Sequence, residues 1–274
     1  MALSNTSQRI IVSVVAIPFI LASCIFGQYL FLLFSGIIGI LSFYEFSKMT
    51  EKSKGKTNLI LGIFSVAVLL LNKYYRFTEF EYIVLLIVIL HLAAELFRNN
   101  GSAIQNLGSS FLGIFYTGLF SSAILGIREF YPQDSPYYNH GGLIIIGLLI
   151  TIWICDSAAF FLGVAFGKHK IFPRVSPKKS WEGSIAGLLF ALIAMIANKA
   201  IYMDFLSWTD VVVFGITAGI LGQTGDFVES MVKRDADVKD SSNLIPGHGG
   251  IFDRFDSLLF TAPVIYLYMI FFMI

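Results

Sequence analysis

The sequence predicts an all-α, polytopic integral membrane protein with about nine transmembrane helices. Three observations predict this class. The 274 residues are 56% hydrophobic and 14% charged, with a mean hydropathy of +0.77, and a water-soluble domain cannot bury that much apolar surface. The apolar residues are grouped into segments close to the ~20 residues that span a bilayer as a helix. The basic residues lie mainly between alternate segments, as expected when the segments cross a membrane.

Nine segments are apolar enough, or nearly so, to cross a bilayer. The third is the shortest of them. Pro18 and Pro263 fall inside the first and the last segment, where proline is expected to kink a helix. The predicted spans are residues 9–27, 29–47, 58–73, 80–97, 104–127, 141–167, 183–203, 208–232 and 256–274.

An odd number of crossings places the two termini on opposite sides of the membrane. With nine spans, 15 of the 19 basic residues fall on the side of the N-terminus. Because positively charged loops stay in the cytoplasm, the sequence predicts a cytoplasmic N-terminus and an outer C-terminus. The N-terminal side receives Arg9, Lys48, Lys52, Lys54, Lys56, Arg98, Lys168, Lys170, Arg174, Lys178, Lys179, Lys233, Arg234, Lys239 and Arg254, and the other side receives Lys73, Arg76, Arg128 and Lys199.

The chemically distinctive residues are concentrated in the second half of the chain. We therefore divide the chain into N-terminal helices 1–5, residues 1–130, and a C-terminal region, residues 131–274, that holds the expected catalytic loops 168–182 and 233–255. Cys24 and Cys155 both lie inside apolar segments, so neither a disulfide framework nor a thiolate metal site is expected.

The loop at residues 168–182, KHKIFPRVSPKKSWE, carries five basic residues. Such a loop can simply set the topology and contact anionic lipid head groups. This interpretation leaves unexplained the serine before the lysine pair and the Trp-Glu pair after it. Serine and lysine together suit a phosphate site, because they supply hydrogen-bond donors and positive charge. The candidate substrate-binding residues of this loop are Ser176, Lys178, Lys179, Trp181 and Glu182.

The end of the eighth span carries Asp226, Glu229 and Lys233, which share one helix face through their i, i+3, i+7 spacing. They can be mutually paired charges on a solvated helix end. However, Asp226 has apolar neighbours, and a carboxylate is costly there without a function.

The start of the ninth span carries Asp253 and Asp256, three residues apart. One acid would suffice to complement the helix dipole. Two acids, with Asp226 from the preceding helix, make a set of hard oxygen ligands that suits Mg²⁺. The turn before them contains Gly247, Gly249 and Gly250, whose backbone amides can approach a bound anion closely.

Asp156 lies inside the sixth span, about 16 Å from its end at helical rise. A carboxylate at that depth faces either a wet cavity or a partner on a neighbouring helix, so both a substrate-binding and a structural role are open. His248 is a candidate base, phosphate contact or loop brace. The other histidines show no ligand spacing, so zinc is not expected. Glu45 and Glu95 lie near helix ends where they can reach water, and we assign them no role.

The segment SMVKRDADVKDSSNLIPGHGGIFDRFD, Ser230 to Asp256, resembles the signature of the CDP-diacylglycerol synthases, also called phosphatidate cytidylyltransferases. The segment DSAAFFLGVAFGKHKIFPRVSPKKSWEG resembles the second conserved block of the same family. The resemblance covers about the C-terminal half of the chain. It implies that CTP and phosphatidic acid give CDP-diacylglycerol and pyrophosphate, with a divalent metal, for phospholipid synthesis.

The resemblance also implies roles for individual residues. Mg²⁺ is expected on Asp226, Asp253 and Asp256, and the acids would accommodate either one metal or a second cation. The expected catalytic residues are Asp226, Lys233, Arg234, Lys239, Asp240, His248, Asp253, Arg254 and Asp256. The expected substrate-binding residues are Asp156, Ser176, Lys178, Lys179, Trp181, Glu182, Gly247, Gly249 and Gly250.

Two other functions fit parts of the sequence. A CTP-dependent lipid kinase of the dolichol or phytol kinase type would release CDP rather than pyrophosphate. An ion-coupled transporter would use Asp156 as its coupling carboxylate, but the sequence shows no internal repeat. The expected location is the bacterial inner membrane, with the active site facing the cytoplasm and membrane lipid around it. No nucleic-acid partner is expected, and a homodimer is left open.

Overall fold

The computed structural model describes residues 5–53, 55–245 and 247–273, with side chains from Ile11 onward. Lys54 and Pro246, part of the motifs above, lie outside the described residues. Nine helical segments follow one another in the described part of the chain. They are α1 (Asn5–Phe26), α2 (Gln28–Thr50), α3 (Leu59–Tyr75), α4 (Phe80–Leu96), α5 (Ala103–Arg128), α6 (Tyr138–Phe166), α7 (Trp181–Ile201), α8 (Trp208–Asp235) and α9 (Phe252–Phe272).

The predicted all-α membrane fold is confirmed. Six of the helices, α2 and α5 to α9, are long and apolar enough to cross a membrane, and α3 and the Ile11–Phe26 stretch of α1 are shorter apolar helices. Across the described ranges the backbone forms no β-strand, only the isolated bridges Lys170–Ser180 and Ile245–Gly249. Each of the nine predicted segments coincides with one helix.

The helix ends extend beyond the apolar segments where polar residues continue or begin the helix. Helix α9 starts at Phe252 rather than at residue 256, and α8 continues past residue 232 to Asp235. Helix α8 starts with a capping box, in which the Ser207 hydroxyl accepts from Asp210 N and the Asp210 carboxylate accepts from Ser207 N. A hydropathy pattern identifies only the part of a helix that lies in hydrocarbon. The helix itself can continue through the polar residues on either side.

Two helices contain a π-helical turn that the sequence pattern did not predict. It covers Ile114–Leu119 in α5 and Ala218–Gly222 in α8. Such turns are frequent at functional sites because they shift the side chains that follow them around the helix. The second turn ends four residues before Asp226. Pro18 and Pro263 lie inside α1 and α9, as predicted.

The chain forms two compact units, and the first consists of Met1–Gly126 and Lys233–Phe255. Its core is aromatic: the rings of Phe31, Phe43 and Phe46 are buried. Gly113 of α5 lets α2 come close, because a Cβ there would lie 2.7 Å from the Phe46 ring and 2.9 Å from the Phe43 ring. This unit carries the loop that precedes α9.

The second unit consists of Ile127–Val232 and Asp256–Ile274. Helices α6 and α7 pack closely within it, because a Cβ on Gly183 would lie 2.6 Å from the Ala159 carbonyl oxygen. The Asn198 side chain of α7 donates to the Gly147 carbonyl at 3.1 Å, and the Tyr268 hydroxyl of α9 donates to Asp210 of α8 at 2.7 Å. These polar contacts join neighbouring helices within the unit, as does the Gln223 side chain of α8, which donates to the Ser184 carbonyl of α7 at 3.1 Å.

Many large apolar side chains are exposed on the helices. Examples are Leu96, Ile104, Ile60 and Phe161, which are 83%, 85%, 83% and 68% exposed. A protein surface in contact with lipid is expected to look like this, whereas a water-soluble monomer rarely exposes such patches. Cys24 and Cys155 are buried, and neither is part of a disulfide.

Candidate active site

The second unit brings three predicted site carboxylates into one cluster. Asp156 comes from α6, Asp226 from α8 and Asp256 from α9, and each of them interacts electrostatically with the other two. Asp256 is only 8% exposed, and its carboxylate accepts a hydrogen bond from Ser257 N at 2.7 Å. Three acids at short range repel one another unless a cation is near. A cation close to the cluster would offset this repulsion.

Lys179 supplies positive charge to this cluster. Its Nζ lies 2.5 Å from Asp226 Oδ2 and 4.5 Å from the centre of the Phe227 ring. The lysine and Asp226 side chains are each about one-third exposed, at 32% and 34%. The ion pair is thus reachable from outside the protein, so an arriving substrate can meet both groups.

Helix α8 carries Asp226 close to α9 because the preceding residue is Gly225. A Cβ at this position would lie 2.6 Å from the Asp256 carbonyl oxygen and 2.7 Å from Phe260 Cβ. Any larger residue would push α8 away from α9 at the level of the two acids. Ser230, one turn along α8, donates to Asp226 Oδ1 at 3.3 Å.

The loop before α7 is organised by Glu182. The Glu182 carboxylate accepts hydrogen bonds from the backbone N–H groups of Lys168 and His169, and His169 Nδ1 lies 2.6 Å from it. Trp181 N donates to the His169 carbonyl at 2.9 Å. This geometry makes Glu182 a brace that closes the loop on itself. The Trp181 ring is 55% exposed, and Lys178 is exposed as well.

In the first unit, Asp253 has its own set of partners. Lys233 Nζ lies 2.7 Å from Asp253 Oδ1, and the pair is largely buried. Asp253 Oδ2 accepts from Ser241 N at 2.9 Å, from the Ser241 hydroxyl at 2.8 Å and from Gly250 N at 2.8 Å. Asp253 therefore ties together the end of α8, the segment after it and the glycine turn.

The glycine turn before α9 needs its glycines for conformation. Gly247 and Gly249 have φ values of +75° and +84°, which other residues rarely adopt. Gly250 has no room for a side chain, because a Cβ would overlap the Ser241 hydroxyl and the Glu45 carboxylate. Arg254 Nε donates to the His248 carbonyl at 2.8 Å. His248 Nδ1 is buried, and no described group is placed to hydrogen-bond to it.

Glu45 contacts the same segment, although the sequence pattern gives no role to this residue. It is fully buried in α2, and its carboxylate accepts hydrogen bonds from both serines of the Ser241–Ser242 pair and from Ile251 N and Phe252 N. Its partners are about 200 residues away in the chain, so no local pattern could identify them. The available signal was an acid inside an apolar helix. Glu95, also given no role, accepts from Asn106 Nδ2 at 2.6 Å and lies 3.5 Å from Arg98.

Lys239 and Asp240 line a polar cavity of about 330 Å³ in the first unit. Lys48 and Lys52 from the end of α2 line the same cavity, together with Ser241 and Ser242. Arg234 is exposed and donates to the Val238 carbonyl at 2.9 Å. The cavity is thus rich in ammonium groups and hydrogen-bonding groups, which suits an anionic ligand.

The acids of the second unit have the donor chemistry that Mg²⁺ prefers, namely carboxylate oxygens. Within the described ranges, no group of three or more His, Cys, Asp or Glu residues is arranged to hold a metal ion. Mg²⁺ usually binds through one or two carboxylates, with waters and substrate phosphates completing its shell. A pair of acids such as Asp226 and Asp256 is therefore compatible with Mg²⁺, whereas a closed cage of protein ligands is not present in the described residues.

Comparison with known proteins identifies the class. The model of the cytidylyltransferase family matches residues 7–272, so the chain belongs to this family and is a nucleotidyltransferase embedded in a membrane. The resemblance seen at Ser230–Asp256 is thereby confirmed.

The relatives narrow the class further. The phosphatidate cytidylyltransferase of Bacillus subtilis is 30% identical over 267 residues, which cover 96% of this chain and 97% of the relative. That of Synechocystis is also 30% identical, over 96% of both chains. That of Haemophilus influenzae is 43% identical over 150 residues, about half of each chain.

Proposed function

We propose that this protein is a phosphatidate cytidylyltransferase, which transfers the cytidylyl group of CTP to phosphatidic acid and releases pyrophosphate. The observation that carries the proposal is the family match over residues 7–272, together with full-length relatives of that name. Within the second unit the acids stand beside Lys179, and within the first unit lysines line a cavity, and both kinds of group suit a reaction between two phosphate esters.

The nucleophile is a phosphate oxygen of phosphatidic acid. It attacks the α-phosphorus of CTP, a new P–O bond forms, and the bond between the α-phosphorus and the bridging oxygen breaks. A phosphate monoester has its second pKa near 6, so the nucleophile is already mostly dianionic at neutral pH. No strong general base is needed, and the barrier comes from repulsion between anions and from charge on the leaving pyrophosphate. Catalysis then depends on positioning and on positive charge.

The positive charge comes from two sets of side chains. In the second unit, Lys179 stands beside Asp226, and Ser176 and Lys178 lie in the same loop. In the first unit, Lys239 shares its cavity with Lys48 and Lys52. We propose that these groups hold the phosphates of CTP and of phosphatidic acid. The exposed Arg234 and Arg254 of the first unit are proposed to contribute positive charge as well.

We propose that Mg²⁺ is held by Asp226 and Asp256, with Asp253 as the third acid that the motif predicts. When bound, the metal would neutralise phosphate charge and orient the triphosphate. The mutual repulsion of the acids in the second unit supports a cation there, because a divalent ion would offset it. The four contacts of Asp253 support an organising role for this residue in the glycine turn.

We propose that the reaction takes place at the cytoplasmic face of the bacterial inner membrane. The excess of basic residues in alternate loops supports this orientation. CTP is water-soluble and phosphatidic acid is a lipid, so their phosphates can meet only near the membrane surface. A homodimer stays a prediction.

The decisive experiment uses the purified protein in detergent with phosphatidic acid and each nucleoside triphosphate in turn. We expect CTP to give CDP-diacylglycerol and an equal amount of pyrophosphate. Formation of CDP with a phosphorylated lipid alcohol would instead identify a lipid kinase. If neither product forms and sealed vesicles show ion-dependent uptake, the protein is a transporter.

A second measurement tests the metal. We expect excess chelator to stop product formation and added Mg²⁺ to restore it. Calorimetric titration of Mg²⁺ in the absence of substrate provides a readout independent of activity, and Asp226→Asn should weaken the binding. Full activity in excess chelator would remove the metal from the scheme.

A further inference from the structure

Glu45 is an unusual residue for a fully buried position near the end of an apolar helix. Its side chain is fully buried in α2, among residues that are otherwise apolar or small. A buried carboxylate is strongly destabilising unless hydrogen-bond donors surround it. Such a residue is retained in a membrane helix only where its partners compensate for the cost, so its partners indicate its role.

Within the described residues, the hydrogen-bond partners of Glu45 lie in the segment before α9 and at its first residue. Glu45 Oε1 accepts from the Ser242 hydroxyl at 2.6 Å and from Ile251 N at 2.9 Å. Glu45 Oε2 accepts from Phe252 N at 2.8 Å and lies 3.0 Å from the Ser241 hydroxyl. The two backbone N–H groups open α9, where a negative charge is favoured by the helix dipole.

Ser241 connects Glu45 with Asp253. Its hydroxyl lies 3.0 Å from Glu45 Oε2 and 2.8 Å from Asp253 Oδ2. A hydroxyl carries one proton, so it donates to one carboxylate at a time and couples the two acids. Gly250 packs against the same two groups, where no side chain fits. The conformation of the glycine turn and the orientation of Asp253 therefore both depend on the Glu45 carboxylate.

We propose that Glu45 is a positioning residue, which fixes the segment Ser241–Phe252 and thereby orients Asp253 and the glycine turn for the substrate phosphates. The proposal that Glu45 orients Asp253 for substrate rests on the proposed function. The proposal that Glu45 fixes the conformation of the segment does not. The N-terminal helices therefore have a role in the site. Helix α2 fixes the glycine turn and Asp253, although it lies outside the motif Ser230–Asp256.

The test compares Glu45→Gln with wild type by amide hydrogen exchange of the peptide covering residues 241–252, and by kinetics with CTP and phosphatidic acid. Glutamine keeps the shape but replaces one acceptor oxygen with an NH₂ group, which faces donors. We expect clearly faster exchange in this peptide and a kcat about 10- to 100-fold lower, because small displacements at a reaction centre have large effects. We expect the KM for CTP to change less than kcat.

Glu95→Gln is the matched control, since Glu95 is a largely buried carboxylate in the same unit that accepts a hydrogen bond from Asn106. It should leave exchange of the 241–252 peptide and kcat within about twofold of wild type, even if the unfolding temperature falls. Ser242→Ala removes one donor to Glu45 and should give a smaller effect in the same direction. This variant keeps the test informative if Glu45→Gln does not fold.

The proposal would be overturned if hydrogen exchange of the 241–252 peptide were unchanged in both Glu45→Gln and Ser242→Ala. It would also be overturned if Glu95→Gln changed this exchange as much as Glu45→Gln does. Fast exchange in Glu45→Gln with normal kcat would overturn the orienting role alone. The proposed function fails separately, if wild-type protein does not convert CTP and phosphatidic acid, and the exchange measurement still reports on Glu45.

Discussion

Asp256 lies in an environment that destabilises a charged carboxylate. It is nearly buried in a membrane helix, and both Asp226 and Asp156 interact with it repulsively. Lys179 is the cation that the structure brings to these acids. An amide would fill the same space without the repulsion, so these carboxylates are candidates for a function that needs their charge.

Asp256→Asn separates the charge from the packing. We expect turnover to fall by about 100-fold or more, because an electrostatic contribution at the reaction centre is lost. We expect the unfolding temperature to stay the same or rise, because asparagine removes a repelling charge from the interior. The measurements are CDP-diacylglycerol formation and thermal unfolding in detergent. Asp134→Asn, an exposed loop substitution, serves as the control, and near-normal turnover in Asp256→Asn would argue against the site.

Lys179→Ala removes the ammonium group beside Asp226. We expect kcat/KM to fall by about 10- to 100-fold, because both the acid cluster and the substrate phosphates lose positive charge. Arg174→Ala, an exposed basic residue in the same loop, should remain within about threefold of wild type. Equal effects in the two variants would mean that the loop acts only through its overall charge.

At this scale the sequence predicted part of the site. Asp226 and Asp256 could be predicted to lie together, because each stands at the end of an apolar helix and the helices follow one another in the chain. Glu45 could not, because its donors lie up to 207 residues further along the chain. The role of Glu182 as a brace depends on how the loop folds back, and its spacing to other residues does not show this.

At the scale of elements, the approach of α8 to α9 depends on one missing side chain. Gly225 stands where a Cβ would be 2.6 Å from the backbone of Asp256, so the two helices can be this close only with glycine. The π-helical turn Ala218–Gly222 directly precedes this contact. Together these features set the direction in which Asp226 leaves α8.

Gly225→Ala tests this contact. We expect a destabilisation of about 1–3 kcal/mol from overpacking, and a turnover at least about 10-fold lower because the two acids move apart. Gly108→Ala is the control, since no described atom lies within 4 Å of a Cβ at Gly108 in α5. It should be neutral or stabilising, as alanine favours helix over glycine. If Gly225→Ala behaves like Gly108→Ala, the close approach has no role in the site.

Helix existence was predictable for all nine segments, because an apolar stretch in a bilayer must satisfy its own backbone hydrogen bonds. Helix ends were less predictable than helix existence. Residues 252–255 include two charged residues, yet they form the first turn of α9. The two π-helical turns have no hydropathy signal.

At the scale of the whole molecule, the distribution of charge predicts the orientation in the membrane. The 15 basic residues assigned to one side and the four assigned to the other give a strong bias toward a cytoplasmic N-terminus. The structure describes nine helices, and nine crossings with this orientation stay a prediction, since an additional or missing crossing would mix the two groups.

Cysteine labelling in intact cells tests this orientation. In a variant with Cys24 and Cys155 replaced by alanine, we expect Asp134→Cys to react with a membrane-impermeant maleimide from outside. Lys52→Cys should react only after the membrane is permeabilised. If only Lys52→Cys is labelled in intact cells, the orientation is the reverse of the predicted one. If both variants are labelled in intact cells, the predicted number of crossings between the two positions is wrong.

The pairing of Glu45 with a segment distant in the chain has a consequence for biosynthesis. The donors Ile251 and Phe252 emerge from the ribosome 206 and 207 residues after Glu45. At about 5–20 residues per second, on the order of 10 to 40 seconds pass between the two events. During that time α2 carries an acid whose eventual partners do not yet exist. Synthesis of the segment before α9 is therefore also the step at which this helix acquires its final environment.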